Sequence, residues 1–303
     1  MLKNYTREET SWMLYDWANS AFSAIVAAII LPIFFQNVAQ SSGVSSVDST
    51  AYWGYATSFG TLICAVLAPF LGTLGDFKGM KKRLFTFFML LGVASTFLLA
   101  ITNSWQSLLL FYILGTLGFS GSCIYYDSFL LDVTSIERMD RVSSIGYGLG
   151  YIGGSTIPLI ISLVLIQFGE GIGIPTMLAT KISFILTAVW WLVFTIPMLR
   201  NVHQKHSIEP DRNIMMHTMR NMSKTLSMII RNKSVLFFLI AYFFYIDGVG
   251  TIIHMATVFG ASCGLESMDM MVILLVVQIV AFPFAILYGK LSGRFGARKM
   301  ILF

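Results

Sequence analysis

Charge is scarce in this sequence. Asp, Glu, Lys and Arg make up only 12% of its 303 residues, against the roughly one quarter a soluble domain spends on covering its core. The chain lacks the charge to build a water-facing surface of that kind. Cysteine is nearly absent as well. Cys64, Cys123 and Cys263 are far apart, odd in number and outside any CxxC spacing, so neither a disulfide framework nor a metal or redox site is expected. Buried small hydrophobes is the better reading of all three. Catalytic signatures are missing too: there is no GxSxG, HExxH or Walker loop, and His203, His206 and His217 fall in one basic stretch without ligand spacing. Enzyme chemistry and ATP-driven pumping are therefore not expected, and no cofactor or metal is implied.

Long apolar runs are abundant. Hydrophobic residues make up 56% of the chain and gather in blocks of about twenty, enough to cross a ~30 Å hydrocarbon layer at 1.5 Å per residue. Eight spans can be drawn, at 12–36, 51–72, 84–102, 106–130, 143–168, 177–199, 234–260 and 268–289, with a ninth beginning at Met300-Ile301-Leu302-Phe303. The first block is too long for a cleavable signal and reads as a retained span. The fold class is all-α and polytopic, because only helices or closed barrels satisfy every backbone group in lipid.

Basic residues are missing from alternate loops. The segments 37–50, 103–105, 169–176 and 261–267 contain no Lys or Arg, whereas the intervening loops hold nearly all twenty, Lys181 being the one exception. This asymmetry puts the N-terminus in the cytoplasm of a cell whose inner membrane the chain occupies. The net charge of +5 thus reports basic loops facing a lipid bilayer, and no nucleic-acid partner is expected. The one composition shift lies at 200–233, dividing a six-span half (1–199) from the remainder (234–303). Within it, Arg212 to Arg231 places Met215, Met219, Met222, Leu226 and Ile229 on one face and Arg220 and Lys224 on the other. That pattern describes an amphipathic helix on an anionic leaflet, a methionine-rich partner-binding helix being the alternative.

Two loops repeat one spacing. Gly72, Asp76, Gly79, Lys81, Lys82 and Arg83 follow span two; Gly289, Gly293, Gly296, Arg298 and Lys299 follow span eight at the same intervals. Glycines permit a tight turn between packed helices, and the basic cluster anchors it. The pattern resembles the signature loop of the major facilitator superfamily, whose fold of two six-helix halves around a midplane cavity is what the resemblance implies. The family's acidic latch carries onto Asp76 but not onto Gly293. The Tyr15-Asp16-Trp17-Ala18-Asn19-Ser20-Ala21-Phe22 motif, with 147–154 and 241–248, is similar to the "unknown major facilitator" group, which includes a fungal autophagy-related vacuolar amino-acid effluxer. A twelve-helix transporter needs further spans beyond these, so the reading expects a fragment of a longer transporter or a truncated product.

Polar residues at membrane depth are costly, and so they mark candidate function. Asp16, Asn19, Ser20 and Ser23 form one stripe of span one, either a solute- or proton-facing wall or a packing and solvated edge. Asp247 lies well inside span seven, with Thr251 and His254 on its face, and is read as a proton-coupling acid with a histidine relay or as a hydrogen-bonded helix tie. Asp127, near the end of span four, and Gln278, central in span eight, are pathway candidates whose packing role is equally natural. Gly146, Gly150, Gly153 and Gly154 make a small-residue ridge on span five, read as helix packing ahead of a hinge. The function expected is a monomeric secondary transporter that moves a small organic solute, with amino acids implied by the resemblance, coupled to protons or another ion. A membrane-embedded lipid-handling protein and a non-transporting sensor or assembly partner are the alternatives.

Overall fold

The computed structural model describes residues 4–209, 214–296 and 299–300. Arg212, Arg298 and the start of the ninth span at 301–303 lie outside them. Among the described residues eight helices are long and apolar enough to cross a membrane, and the chain is an integral membrane protein.

Span one begins where the sequence Thr6-Arg7-Glu8-Glu9 closes a capping box: Glu9 N donates to Thr6 Oγ1 at 3.1 Å and Thr6 N to Glu9 Oε2 at 2.9 Å. It comprises α1 (Arg7–Ala21), a π-helical segment (Phe22–Ile29) and α2 (Ile30–Ser41), outrunning the sequence-drawn 12–36 at both ends. Spans two to four are α3 (Ser46–Gly75), α4 (Met80–Ile101) and α5 (Trp105–Val133). Span five is α6 (Met139–Leu149), a second π segment (Gly150–Thr156) and α7 (Ile157–Phe168). Then follow α8 (Thr176–Asn201), a linker helix α9 (Ile214–Arg231), α10 (Lys233–Ser262) and α11 (Ser267–Phe295). Among the described residues the only β pairing is a single bridge, Phe77 to Ile208.

Span one is the most enclosed. Its residues from Trp12 to Ala39 are almost all buried, whereas α3 to α5 and α8 turn large side chains such as Phe59, Leu62, Phe87 and Leu192 outward. Lipid covers such faces in place of water. The core is aromatic: Trp12 stacks on Tyr126 at 4.3 Å, and Tyr15 sits 4.9 Å from both Phe85 and Tyr126. The cysteines depart from the expectation of burial. Cys64 and Cys123 are half-buried and Cys263 is exposed, because Cys263 caps the end of α10 instead of packing inside it.

A strap at 202–209 follows α8 and binds the turn between α3 and α4. Ile208 N donates to Asp76 O at 2.8 Å and Lys78 N to Ile208 O at 3.0 Å. Gln204 donates to Gly75 O and accepts from Gly79 N, both at 3.0 Å. Asp132, whose side chain is wholly buried, pairs with Lys81 at 2.8 Å. Its other oxygen accepts the backbone N–H of Lys205 and of His206, each at 2.9 Å. Lys205–Glu8 and Lys78–Glu209 pairs complete the strap. Of the repeat glycines only Gly79 and Gly296 have positive φ, +75° and +84°, and these make the turns that favour glycine; Gly72 and Gly293 sit inside α3 and α11. Burial raises the pKa of the exposed-edge Asp76 carboxyl, with Lys81 opposing.

The last two described spans meet the first six at both ends. Thr257 Oγ1 on α10 donates to Ala28 O in the first π segment at 3.1 Å, and Trp53 Nε1 to His254 O at 3.3 Å. At the other end Ser292 Oγ on α11 donates to Asp140 Oδ2 at 2.9 Å.

Candidate functional site: carboxylates and tyrosines between spans one, four and five

Asp16 is 7% exposed, and among the described residues its one hydrogen-bond partner is Tyr126, whose Oη donates to Oδ2 at 2.9 Å. Two groups fix the tyrosine. Its ring stacks on Trp12, and the Trp12 indole N–H donates to the Tyr126 carbonyl at 2.8 Å. Asn19, one turn further along α1, is 4% exposed; its amide donates to Cys123 Sγ at 3.6 Å.

Span five comes this close because it has no side chains in the way. A Cβ on Gly146 would lie 2.9 Å from Asp16 Oδ2, one on Gly150 2.7 Å from Ser20 Oγ, and one on Gly154 2.7 Å from Ser20 Cβ; on Gly153 it would overlap the Trp17 ring. Contact of this kind is what small-residue ridges allow between membrane helices. The ridge enters the second π segment, where Ser155 Oγ donates to Ser20 O at 3.3 Å. π turns widen a helix locally and recur at functional sites.

Asp127 stands beside this buried group on the open side of α5. It is exposed, within electrostatic range of Asp16 and of the Cys123 thiol, and has no hydrogen bond or ion pair among the described residues. Tyr147, 55% exposed, and Tyr151 bring two more phenols within electrostatic reach of Asp16. Lying six residues before the end of α5, Asp127 is about 9 Å along the helix from its terminus.

The structure gathers Asp16, Asn19, Ser20 and Asp127 with the span-five glycines. It keeps the other pathway candidates apart. Asp247 and Thr251 lie exposed on α10, with no hydrogen bond or ion pair to the Asp16 group among the described residues. His254 is half-buried against the Ala27 carbonyl, with Nδ1 unpartnered, and Gln278 is half-buried with Oε1 unpartnered. Lys81 and Lys82 are taken up by the strap region, Lys82 Nζ donating to Val202 O at 2.9 Å, and Arg83 is exposed. Among the described residues no three His, Cys, Asp or Glu side chains form a metal site. Sequence reasoning passed over Tyr126, Tyr147 and Tyr151; the i, i+4 spacing of the last two was the available signal.

A membrane-embedded helical bundle with acids and phenols at depth, and a charged turn repeated after spans two and eight, defines a transporter-type protein. Comparison with known proteins gives the family. Residues 4–135 and 131–303 match the family described as "Vacuole effluxer Atg22 like", and the chain belongs to it. It is 48% identical over 305 residues to the MFS-type transporter YxiO of Bacillus subtilis, covering 99% of this chain and 71% of that one. It is 27% identical over 189 residues to autophagy-related protein 22-2 of Aspergillus clavatus, covering 57% of this chain and 30% of that one. The chain is a membrane transporter of the major facilitator type.

Proposed function

We propose that the protein is a secondary active transporter that moves a small organic solute by alternating access, with proton movement through the Asp16–Tyr126–Asp127 group as the coupling step. The observation that carries this is Asp16: a carboxyl at membrane depth, 7% exposed, whose hydrogen-bond partner is a phenol and not a cation. A lone carboxylate there is expensive, and protonation is the direct way to lower that cost. Asp127, open beside it, gives the proton or solute an entry. The solute's arrival and the loss of a proton then act on one cluster, which also forms the contact between spans one and five. Rocking of spans seven and eight against the first half exposes the site to either face in turn. Amino acids are the solute class that the sequence resemblance to the vacuolar effluxer group puts first, and the match to the family described as "Vacuole effluxer Atg22 like" supports that group. The basic loops support a cytoplasmic N-terminus in the cell membrane.

The test is flux in proteoliposomes carrying the full chain. Asp16→Asn should reduce pH-gradient-driven uptake at least tenfold while leaving exchange of solute across the same vesicles measurable. Uptake that keeps its full dependence on the pH gradient in Asp16→Asn would sink the coupling assignment.

A further inference from the structure

Three stripes run along α9. Met222 and Ile229, seven residues apart, are half-buried, and the helix touches α3. Met219, Leu226 and Ile230, at steps of seven and four, are exposed. Arg220, Lys224 and Arg231, at steps of four and seven, are exposed too. At 3.6 residues per turn the exposed apolar stripe and the basic stripe stand about 120° apart. Lys233 follows, and from 212 to 233 there is no Asp or Glu. Among the described residues these four cations have no ion-pair partner, unlike Lys78, Lys81, Arg138 and Lys205.

Both ends of α9 are tied at the membrane boundary on the side of the basic loops. Upstream, Glu209 pairs with Lys78 in the turn between α3 and α4. Downstream, Asn232 alone separates Arg231 from α10, whose exposed apolar side chains begin at Val235. An open cleft of about 540 Å³ at that elbow is lined by Met228, Arg231, Asn232, Lys233 and Ser234. The five steps from Glu209 to Ile214 reach about 18 Å at most, whereas 18 helical residues extend about 27 Å. The helix is therefore too long to stand upright on the boundary and lies along it.

We propose that α9 is a docking helix for anionic phospholipid. Arg220, Lys224 and Arg231 grip headgroup phosphates, and Met219, Leu226 and Ile230 enter the acyl boundary. An anionic leaflet complements a helix with basic residues and no acid. Guanidinium forks match phosphate oxygens, and long basic side chains reach the headgroups while their stems stay apolar. A groove on a partner protein would have to lift the helix from this level, which its ties at both ends oppose.

The experiment places the full chain in nanodiscs of phosphatidylcholine mixed with phosphatidylglycerol. A spin label at Leu226→Cys, with Cys64, Cys123 and Cys263 replaced by Ala, should collide with oxygen in preference to a water-soluble nickel chelate. A label at Ser227→Cys should show the reverse. With the native cysteines kept, native mass spectrometry of the detergent-solubilised chain titrates both lipids. Each basic residue near an anionic surface is worth about a factor of five. Arg220→Gln, Lys224→Gln and Arg231→Gln together should thus weaken phosphatidylglycerol binding at least tenfold and leave phosphatidylcholine unchanged. Arg83→Gln, Lys290→Gln and Arg294→Gln, three exposed cations elsewhere, should together cost less than threefold. A Leu226 label open to the chelate overturns the proposal and leaves the face to a protein partner. A label reached by neither collider overturns it by showing the face covered within the protein. Phosphatidylglycerol binding indifferent to the α9 variant, or lowered equally by the control trio, overturns it as well.

Discussion

At the scale of single residues, charges in this protein divide into those that are paired and those left open. Lys81 and Asp132 are paired, and both are buried. Removing one partner of such a pair strands the other, at about 3–5 kcal/mol, whereas replacing both with apolar groups of similar volume is often nearly neutral. Asp132→Asn alone should therefore lower the denaturation midpoint of the purified protein markedly, and Lys81→Met with Asp132→Leu should recover part of that loss. A double variant no better than the single one would show that the backbone N–H groups of Lys205 and His206, and not Lys81, are what Asp132 holds. Asp16 and Asp127 are the open charges. Asp16 was legible because an acid inside an apolar block has a known cost. Its phenolic neighbours were not, because Tyr is at home in any membrane helix, and only three-dimensional contact showed which rings face the acid. Asp132 carried no such signal, since its partners Lys81, Lys205 and His206 lie about fifty and seventy residues away in sequence.

The elements show a similar division. The eight spans, their order and the repeated turn follow from hydropathy and spacing, and the spans differ from the sequence-drawn bounds mainly at their ends. The capping box at Thr6 and Glu9 was open to view in the sequence but lies outside the apolar block, so hydropathy placed the helix start too late. The two π segments had no signal of this kind. Each inserts one wide turn without altering composition, and the second coincides with the glycine ridge only because span one presses against it. That closeness makes a prediction. Gly153→Leu would drive a side chain into Trp17, and overpacking of this kind costs about 1–3 kcal/mol. The variant should unfold at a temperature several degrees lower, with Gly72→Leu, at a glycine whose added Cβ meets nothing, as the unaffected control in the same thermal scan.

For the whole molecule, the family and the two-ended contact between the first six spans and the last two described set the mechanical frame. Thr257 reaches the first π segment at one end and Ser292 reaches Asp140 at the other. Both are single hydrogen bonds that a rocking motion can exchange at modest cost. The strap at 202–209 is different, being held at Asp76, Lys78, Gly79, Asp132 and Glu8 at once. Its anchors all belong to spans one to four, and it follows span six directly. During synthesis the chain emerges in order, so the strap appears only after every segment it fastens has left the ribosome. It can close the first half before span seven needs a partner, leaving span seven a finished surface to insert against. A fragment ending at Glu209 should accordingly survive heating roughly 5 °C beyond one ending at Asn201, the difference expected from charge-assisted bonds of about 1.5–3 kcal/mol. Equal midpoints would mean that the strap is laid down late, after both halves have met.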